Sequence, residues 1–382
     1  MAGKFAEASL GQLLSFANGR SSPERSGDLP YPVYGSNGMI GYAKETNTDA
    51  KSIIIGRVGS YCGALYWSKE PCWVTDNAIC ASALGNNDSR FLFYLLSTLN
   101  LNNWRGGSGQ PLLNQDILRN IPTFAPEPNV QRAIAHILGT LDDKIELNRR
   151  MNETLEAIAQ AIFKSWFVDT TQDGLPEDWR ESTIGKEVKV VGGSTPSTSN
   201  PEFWEGGKNC WATPKDLASL TTSVLLDTER RITDAGVQQI SSGLLPIGTV
   251  LLSSRAPIGY LAVAEVPVAV NQGFIAMICD GSLTNHYIRL WTKQNIEIIK
   301  GRANGTTFLE ISKSNFRPLP ILVPPQPMID AFQKQVEPLY LRIVSNIRES
   351  RTLAALRDTL LPKLISGEIG VKDAERFIGR AG

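Results

Sequence analysis

The sequence predicts an α+β fold: two repeated mixed α/β domains joined by two long antiparallel coiled-coil helices, with a pseudo-twofold relation between the halves. Three observations carry this expectation. The chain repeats itself at an offset of 198 residues, each copy has a heptad of apolar positions in its rear part, and short apolar runs broken by Gly, Pro and Asn precede that heptad. A length of 382 residues suits two or more cores better than one. The expected boundaries are a mixed domain at 1–125, a central helix at 126–168, a second mixed domain at 169–323, a distal helix at 324–368 and a C-terminal tail at 369–382.

The repeat comes first, because overlooking one misreads the whole fold. KIELNRRMNETLEAIA (144–159) and RIVSNIRESRTLAALR (342–357) agree at six of sixteen positions, Asn148/Asn346 and Leu155/Leu353 among them. The same offset pairs Arg57 with Arg255, Gly107 with Gly305, Arg119 with Arg317 and Pro122 with Pro320. Nearer the start the offset falls to 174, where Gly11 meets Gly185 and Gly19 meets Gly193, so the second copy carries 24 extra residues in between.

Each copy has a mixed front. SIIIGRVGS, GALYW and AICASA read as strands with tight turns, and TVLLSSRAPIG, YLAVAEVPVAV and FIAMI repeat the pattern. Short helices are expected at 90–101, behind Asp88 and Ser89, and at 285–300. The proline-rich segments IPTFAPEPN and LPILVPPQP then end the front and launch a long helix.

In the first long helix Ile134, Leu138, Leu141, Ile145, Asn148, Asn152 and Leu155 fall at alternating steps of four and three. Phe332, Val336, Leu339, Ile343, Asn346 and Leu353 keep the same register in the second. A helix from Asn129 to Phe167 would be about 58 Å long. A single apolar stripe of that length needs a partner, and the other copy supplies one. Asparagines in the seam fix register and orientation, so the helices are expected to lie antiparallel with the fronts at opposite ends.

The bulk numbers exclude several classes. No apolar run reaches the roughly 20 residues of a membrane span, and MAGKFAEASLGQLLSF makes a poor signal peptide. Five cysteines fit neither a disulfide framework nor a zinc site, so reduced thiols in a cytoplasm are expected. Lys plus Arg equals Asp plus Glu at 38 each, which argues against strong, unselective nucleic-acid binding by the chain alone.

The segments AIAHILGTLDDKIELNRRMNETLEAIAQAIFKSWFVD and TLAALRDTLLPKLISGEI resemble the central and distal spacers of type I DNA restriction–modification specificity subunits. YPVYGSNGMIGY, GGSTPSTSNPEFWEGG and WATPKDL resemble that family's target-recognition domains, and the likeness covers nearly the whole chain. The resemblance implies two recognition domains, each reading one half of a split, asymmetric site on double-stranded DNA. It implies helices that set the gap and dock two DNA methyltransferase (modification) subunits. Restriction or translocase subunits are implied as further partners, and catalysis by the chain itself is not. Two related modules on a stiff spacer also suit half-sites about a duplex turn, roughly 34 Å, apart.

Candidate DNA contacts follow from chemistry and from place in the repeat. Arg57 and Arg255 end corresponding strands, and their matched positions favour a shared task such as phosphate contact over base reading. Asn77, beside Asp76, and Asn271 with Gln272 offer amides that pair with adenine or cap turns. The matched loops GGSGQ and ANGTT contribute Ser108, Gln110, Asn304, Thr306 and Thr307, with Arg105 and Arg302 beside them. Residues 289–323 hold Arg289, Lys293, Lys300, Arg302, Lys313 and Arg317 against Glu297 and Glu310, a local basic patch. Where the copies differ most, Tyr34, Ser36, Asn37, Trp211, Thr213 and Lys215 are the candidates for base edges.

An enzyme would need parts that are missing from the sequence. Only His136 and His286 are present, neither in a ligand pattern, and His136 is expected to pack beside the helix seam. No phosphate-binding loop of the G-x-x-x-x-G-K-[ST] type occurs. NPEF (200–203) only faintly echoes an amino-methyltransferase motif. No cofactor is expected. The competing readings are a coiled-coil scaffold whose repeated domains bind protein or small ligands, and a self-contained DNA-modifying enzyme.

Overall fold

The computed structural model describes residues 5–106, 112–172, 174–305 and 309–381. The chain forms two compact units, Met1–Leu147 with Glu349–Gly382 and Asn148–Arg348. Each unit therefore contains one mixed front and a stretch of both long helices.

The first unit runs β1 (Ala6–Ser9), α1 (Leu10–Leu13), β2 (Leu14–Asn18), β3 (Tyr31–Gly35), β4 (Gly38–Ala43), β5 (Ser52–Gly56), β6 (Leu65–Ser68), β7 (Trp73–Val74), β8 (Ala78–Ala83), α2 (Ser89–Thr98), α3 (Gln115–Arg119) and β9 (Pro122–Ala125). Its sheets have the orders β2-β8-β5-β6 and β4-β3-β7, with β1 paired antiparallel to β9. The run SIIIG explains the place of β5: every residue is buried, so the strand sits inside its sheet with both faces covered. The expected helix behind Asp88 is present, and the Asp88 carboxylate accepts the Phe91 N–H at 2.8 Å as an N-cap.

The second unit repeats the order with β10 (Arg180–Thr183), α5 (Ile184–Glu187), β11 (Lys189–Val191), β12 (Asn209–Ala212), α6 (Pro214–Ala218), β13 (Val224–Leu225), β14 (Arg230–Ile232), α7 (Asp234–Gln238), β15 (Val250–Ser253), β16 (Leu261–Ala264), β17 (Val268–Val270), β18 (Phe274–Ile278), α8 (Asn285–Gln294), α9 (Ile296–Gly301), α10 (Lys313–Phe316) and β19 (Pro320–Val323). Its sheets are β11-β18-β15-β16-β13 and β14-β12-β17, with β10 antiparallel to β19. The added α6, β13 and α7 fall in the stretch where the second copy carries its extra residues. The matched glycines Gly19 and Gly193 have a steric reason to persist. A Cβ there would lie 2.1 Å from the Thr75 carbonyl oxygen in one unit and 1.7 Å from that of Val270 in the other.

Two long helices follow the fronts, α4 (Pro128–Phe163) and α11 (Gln326–Ile365). The α4 helix stops short of the expected Phe167, because Lys164–Val168 winds into a π turn. The expected tail contains a further helix, α12 (Val371–Ala381). Within the first unit α4 and α11 run antiparallel, joined by Arg357–Asp142 at 2.7 Å and Lys144–Glu349 at 3.4 Å. Within the second unit the order is again antiparallel: Asn148 faces Asn346, whereas the rings of Phe163 and Phe332 meet at 6.0 Å. Every seam position named from the heptad is buried or half-buried, and the Asn346 amide donates to Asn152 at 2.8 Å.

The first core joins Leu14, Ile53, Ile79 and Phe91 to Leu138, Leu141 and Leu364. The second joins Val250, Val263 and Tyr287 to Phe163, Phe332 and Val336. One packing expectation fails: His136 is exposed on the outer face of α4. All five cysteines are unpaired. No helix among the described residues is long and apolar enough to cross a membrane.

Candidate nucleic-acid interface

In the first unit three of the expected segments converge. β3 and β4 are joined by the turn Ser36–Asn37, and Gly38 takes a φ of +86° to close it. The Ser36 hydroxyl donates to the Asn77 carbonyl and accepts the Val58 N–H at 3.4 Å. The Tyr66 hydroxyl donates to the Ser36 carbonyl at 3.2 Å. The Arg57 N–H donates to that same Asn77 carbonyl at 3.1 Å, and the Arg57 carbonyl accepts from Leu113 N–H at 3.0 Å. The β3–β4 turn, the end of β5 and the segment before β8 thus form one surface.

On this surface Asn37, Asn77 and Arg105 are exposed and Arg57 is half-buried. Ser36 is committed to holding the turn. Tyr34 leans inward, its ring 6.4 Å from Tyr66 beside Ile54, Cys72 and Val74, and burial pushes its hydroxyl pKa up. Ser108 and Gln110 lie outside the described residues, as do Thr306 and Thr307.

The second unit departs further from expectation. Trp211 is 3% exposed, so it cannot present its ring to a base edge as it stands. It packs edge-on against Trp204 at 5.0 Å, and its indole N–H donates to the Ser194 carbonyl at 3.3 Å. The cause is strand alternation: Cys210 and Ala212 face the core between the sheets, which turns Trp211 to the outer cluster with Ile232 and Ile240. Thr213 is spent on capping α6, its N–H and hydroxyl both donating to Asp216 at 2.7 Å. Lys215 is exposed but paired with Glu229 at 2.8 Å.

Asn271 uses its side-chain oxygen for a turn, accepting Gly273 N–H at 2.9 Å. Gln272 is exposed, with its oxygen accepting the Thr195 hydroxyl at 2.7 Å. Asn304 and Arg302 are exposed. Arg255 is half-buried beside Glu310 at 3.6 Å.

Of the expected basic patch only Arg289 is buried, but most of its members are paired within the unit. Arg289 is buried and paired with Glu156, Lys293 reaches the same carboxylate at 3.2 Å, and Lys300 pairs with Glu297 at 2.8 Å. Arg317 donates to the Val190 carbonyl at 2.8 Å. Side chains that looked free in a linear count are thus largely used within the unit.

Sequence reasoning missed Arg230. Its guanidinium lies over Trp204, 3.7 Å from the ring centroid, and 5.3 Å from that of Trp211. An arginine held on indole faces keeps its donor edge open and loses little further freedom on binding. The signal was present as Trp204 and Trp211 in sequence, but only the pairing of β12 with β14 brings Arg230 to them.

NPEF forms a short turn in which Asn200 caps by accepting the Glu202 N–H at 3.1 Å. His286 is buried against Tyr340, ring centroids 4.6 Å apart. Among the described residues no group of three or more His, Cys, Asp or Glu side chains could hold a metal ion.

Comparison with known proteins places this geometry. Residues 3–157 and 176–337 match the family described as type I restriction modification DNA specificity domain. The MjaIX specificity subunit of Methanocaldococcus jannaschii is 41% identical over 160 residues, 41% of this chain and 37% of that protein. The HindI specificity subunit of Haemophilus influenzae is 26% identical over 330 residues, 68% of this chain and 71% of that protein. The crystal structure of a type I restriction–modification S subunit from M. genitalium shares the fold, with a TM-score of 0.67 at 16% identity over 95% of this chain and 96% of that one.

Proposed function

The chain belongs to the type I restriction–modification DNA specificity family, and from that premise we propose that it is the DNA sequence-specificity subunit of such a system. Each mixed unit reads one half of a bipartite, asymmetric site. The paired helices set the spacing and dock two DNA methyltransferase subunits, to which a restriction or translocase subunit can be added. Residues 1–125 and 169–323 serve as the target-recognition domains, 126–168 and 324–368 as the spacers. The chemistry resides in the partners, and the chain supplies the address.

One observation supports the reading above all. Apart from the added β13, the two units share a strand order but not a surface: the same scaffold carries Asn37, Asn77 and Arg105 in one unit and Gln272, Arg302 and Arg230, held over Trp204, in the other. A repeated frame with unlike exposed side chains is what reading two different half-sites requires. Arg57 and Arg255 fit phosphate contact, and Asn37, Asn77, Gln272, Asn304 and Arg230 fit base edges.

The test is selection from random DNA duplexes by the complex with its methyltransferase. We expect one non-palindromic motif in two parts, recovered weakly or not at all by the isolated subunit because the chain carries no net charge. A scaffold that binds protein or small ligands would enrich no motif.

A further inference from the structure

We propose that Arg230 reads a guanine in the half-site assigned to the second unit, with Trp204 and Trp211 as the residues that position it. This deepens the reading above and rests on it, since a base is read only if this face of the unit meets DNA.

The platform is built by a sheet and one loop. Trp211 on β12 stands opposite Arg230 on β14, and opposed residues of an antiparallel pair leave the sheet on the same face. Trp204, from the turn ahead of β12, meets Trp211 edge-on. Ser194 and Ser197 fix both rings, their carbonyls accepting the indole N–H of Trp211 at 3.3 Å and of Trp204 at 2.9 Å. The Thr228 hydroxyl accepts the Trp211 backbone N–H at 3.1 Å and donates to the Arg230 carbonyl at 2.7 Å, tying the arginine's backbone to the same frame. Between the two serines, Thr195 donates its hydroxyl to Gln272 at 2.7 Å. The loop thus joins the arginine platform to Gln272, which belongs to the proposed DNA face.

Arg230 is exposed, and among the described residues no carboxylate pairs with it. Its neighbours are committed: Arg231 pairs with Asp227 and Lys215 with Glu229, each at 2.8 Å. A guanidinium only donates, through a planar fork. In the major groove guanine alone offers the two adjacent acceptors, N7 and O6, that this fork fits. Adenine sets an amino donor beside its N7, cytosine shows a donor, and thymine has one acceptor next to a methyl group. A guanidinium braced on indole also has less freedom to lose on binding than one on an unsupported stem.

A phosphate would accept from the same fork, but the strand register argues for a base. Val33 in the first unit pairs antiparallel with Gly41 and parallel with Trp73, and Trp211 pairs antiparallel with Arg230 and parallel with Ala269. The backbone bonds one residue further on coincide: Thr75 N–H donates to the Tyr34 carbonyl at 2.9 Å, and Asn271 N–H to the Ala212 carbonyl at 3.1 Å. Val33 and Gly41 therefore hold the places of Trp211 and Arg230. A contact to the uniform phosphate backbone suits positions that both units share. A contact confined to one unit suits a base found only in its half-site.

The test uses the methyltransferase complex and the bipartite motif it selects. Arg230→Ala is expected to relax one guanine position in one half-site, with discrimination there falling by about 5- to 150-fold, and to leave the other half-site unchanged. Replacing that guanine by 7-deazaguanine removes the N7 acceptor and should weaken the wild-type complex but not the alanine variant. Trp204→Leu should relax the same position, whereas Trp204→Phe, which keeps a flat face for the guanidinium, should retain most of the preference. Because Arg230 is exposed, retained reading of the other bases in that half-site reports a folded unit. A uniform loss of affinity over all sequences, with the salt slope lowered by about one, would assign Arg230 to a phosphate and overturn the proposal. Relaxation at no position, relaxation of every base in the half-site, or a wild-type motif without a G·C pair in either half would overturn it equally. If the wild-type complex enriches no bipartite motif, the functional reading itself fails.

Discussion

Replacing Glu156 with alanine is expected to destabilise the second unit by about 3–5 kcal/mol, because it leaves a buried charge without its partner. Glu156 stands on α4 and meets Arg289 and Lys293 on α8. The Arg289 side chain is only 1% exposed and that of Glu156 17%. Burial alone would push the Glu156 carboxyl pKa up, but the two cations outweigh it and hold it below its ordinary value. This trio ties the short helix of the recognition unit to the long one, with Arg289 also lying 5.8 Å from the Tyr340 ring on α11. Removing both partners tells a different story: Glu156→Leu with Arg289→Met should recover most of the loss, since well-packed apolar replacements of buried pairs are often neutral. Denaturant melts of the single and double variants check this. A single-variant loss below about 1 kcal/mol, the range of an exposed pair, would show that the charges are not buried against each other.

Acid is expected to weaken the second unit before it weakens the first. His286 is buried on α8 with its Nδ1 unpartnered, its ring tilted against Tyr340, whose hydroxyl donates to Glu265 at 2.9 Å. Burial, and then the charge of Arg289, pull its pKa down to about 4, against an opposing pull from Glu156. A histidine depressed in the fold gives its stabilisation in full above its unfolded value of 6.5 and loses it as pH falls toward 4. The loss over that window is on the order of 3 kcal/mol. Glu156, also depressed, adds its own loss only as pH drops below its ordinary 4.5. Unfolding followed at pH 7 and pH 4.5 should show the drop, and His286→Phe, which keeps the ring and discards the titration, should flatten it. An unchanged pH profile in the phenylalanine variant would contradict the assignment.

The repeat made the architecture legible. Heptad spacing located α4 and α11 and picked out a seam that is buried or half-buried throughout, because a long helix with one apolar stripe has few ways to hide it. Apolar runs located β5, β6, β8, β15 and β18 for the same reason. The surface was much less legible. Trp211 looked like a reader but lies within, since its side depends on strand alternation and on Cys210 and Ala212 claiming the core. Thr213 and Asn271 looked like contacts but hold turns, because short polar side chains serve local backbone first. Arg289 and Lys293 looked like a basic patch until Glu156, 133 residues from Arg289, was brought to them. Such long-range pairings leave no mark in local sequence, and Arg230 was missed on the same account.

The central claim is a division of labour, in which side chains of the two units choose the bases and the helices choose the distance between them. Inserting four residues, about one helical turn or 6 Å of rise, within 140–155 tests it most directly when the variant complex is put through the same selection from random duplexes. The account predicts the same two half-sites separated by a longer gap. Altered half-site sequences, or an unaltered gap with full binding, would contradict it.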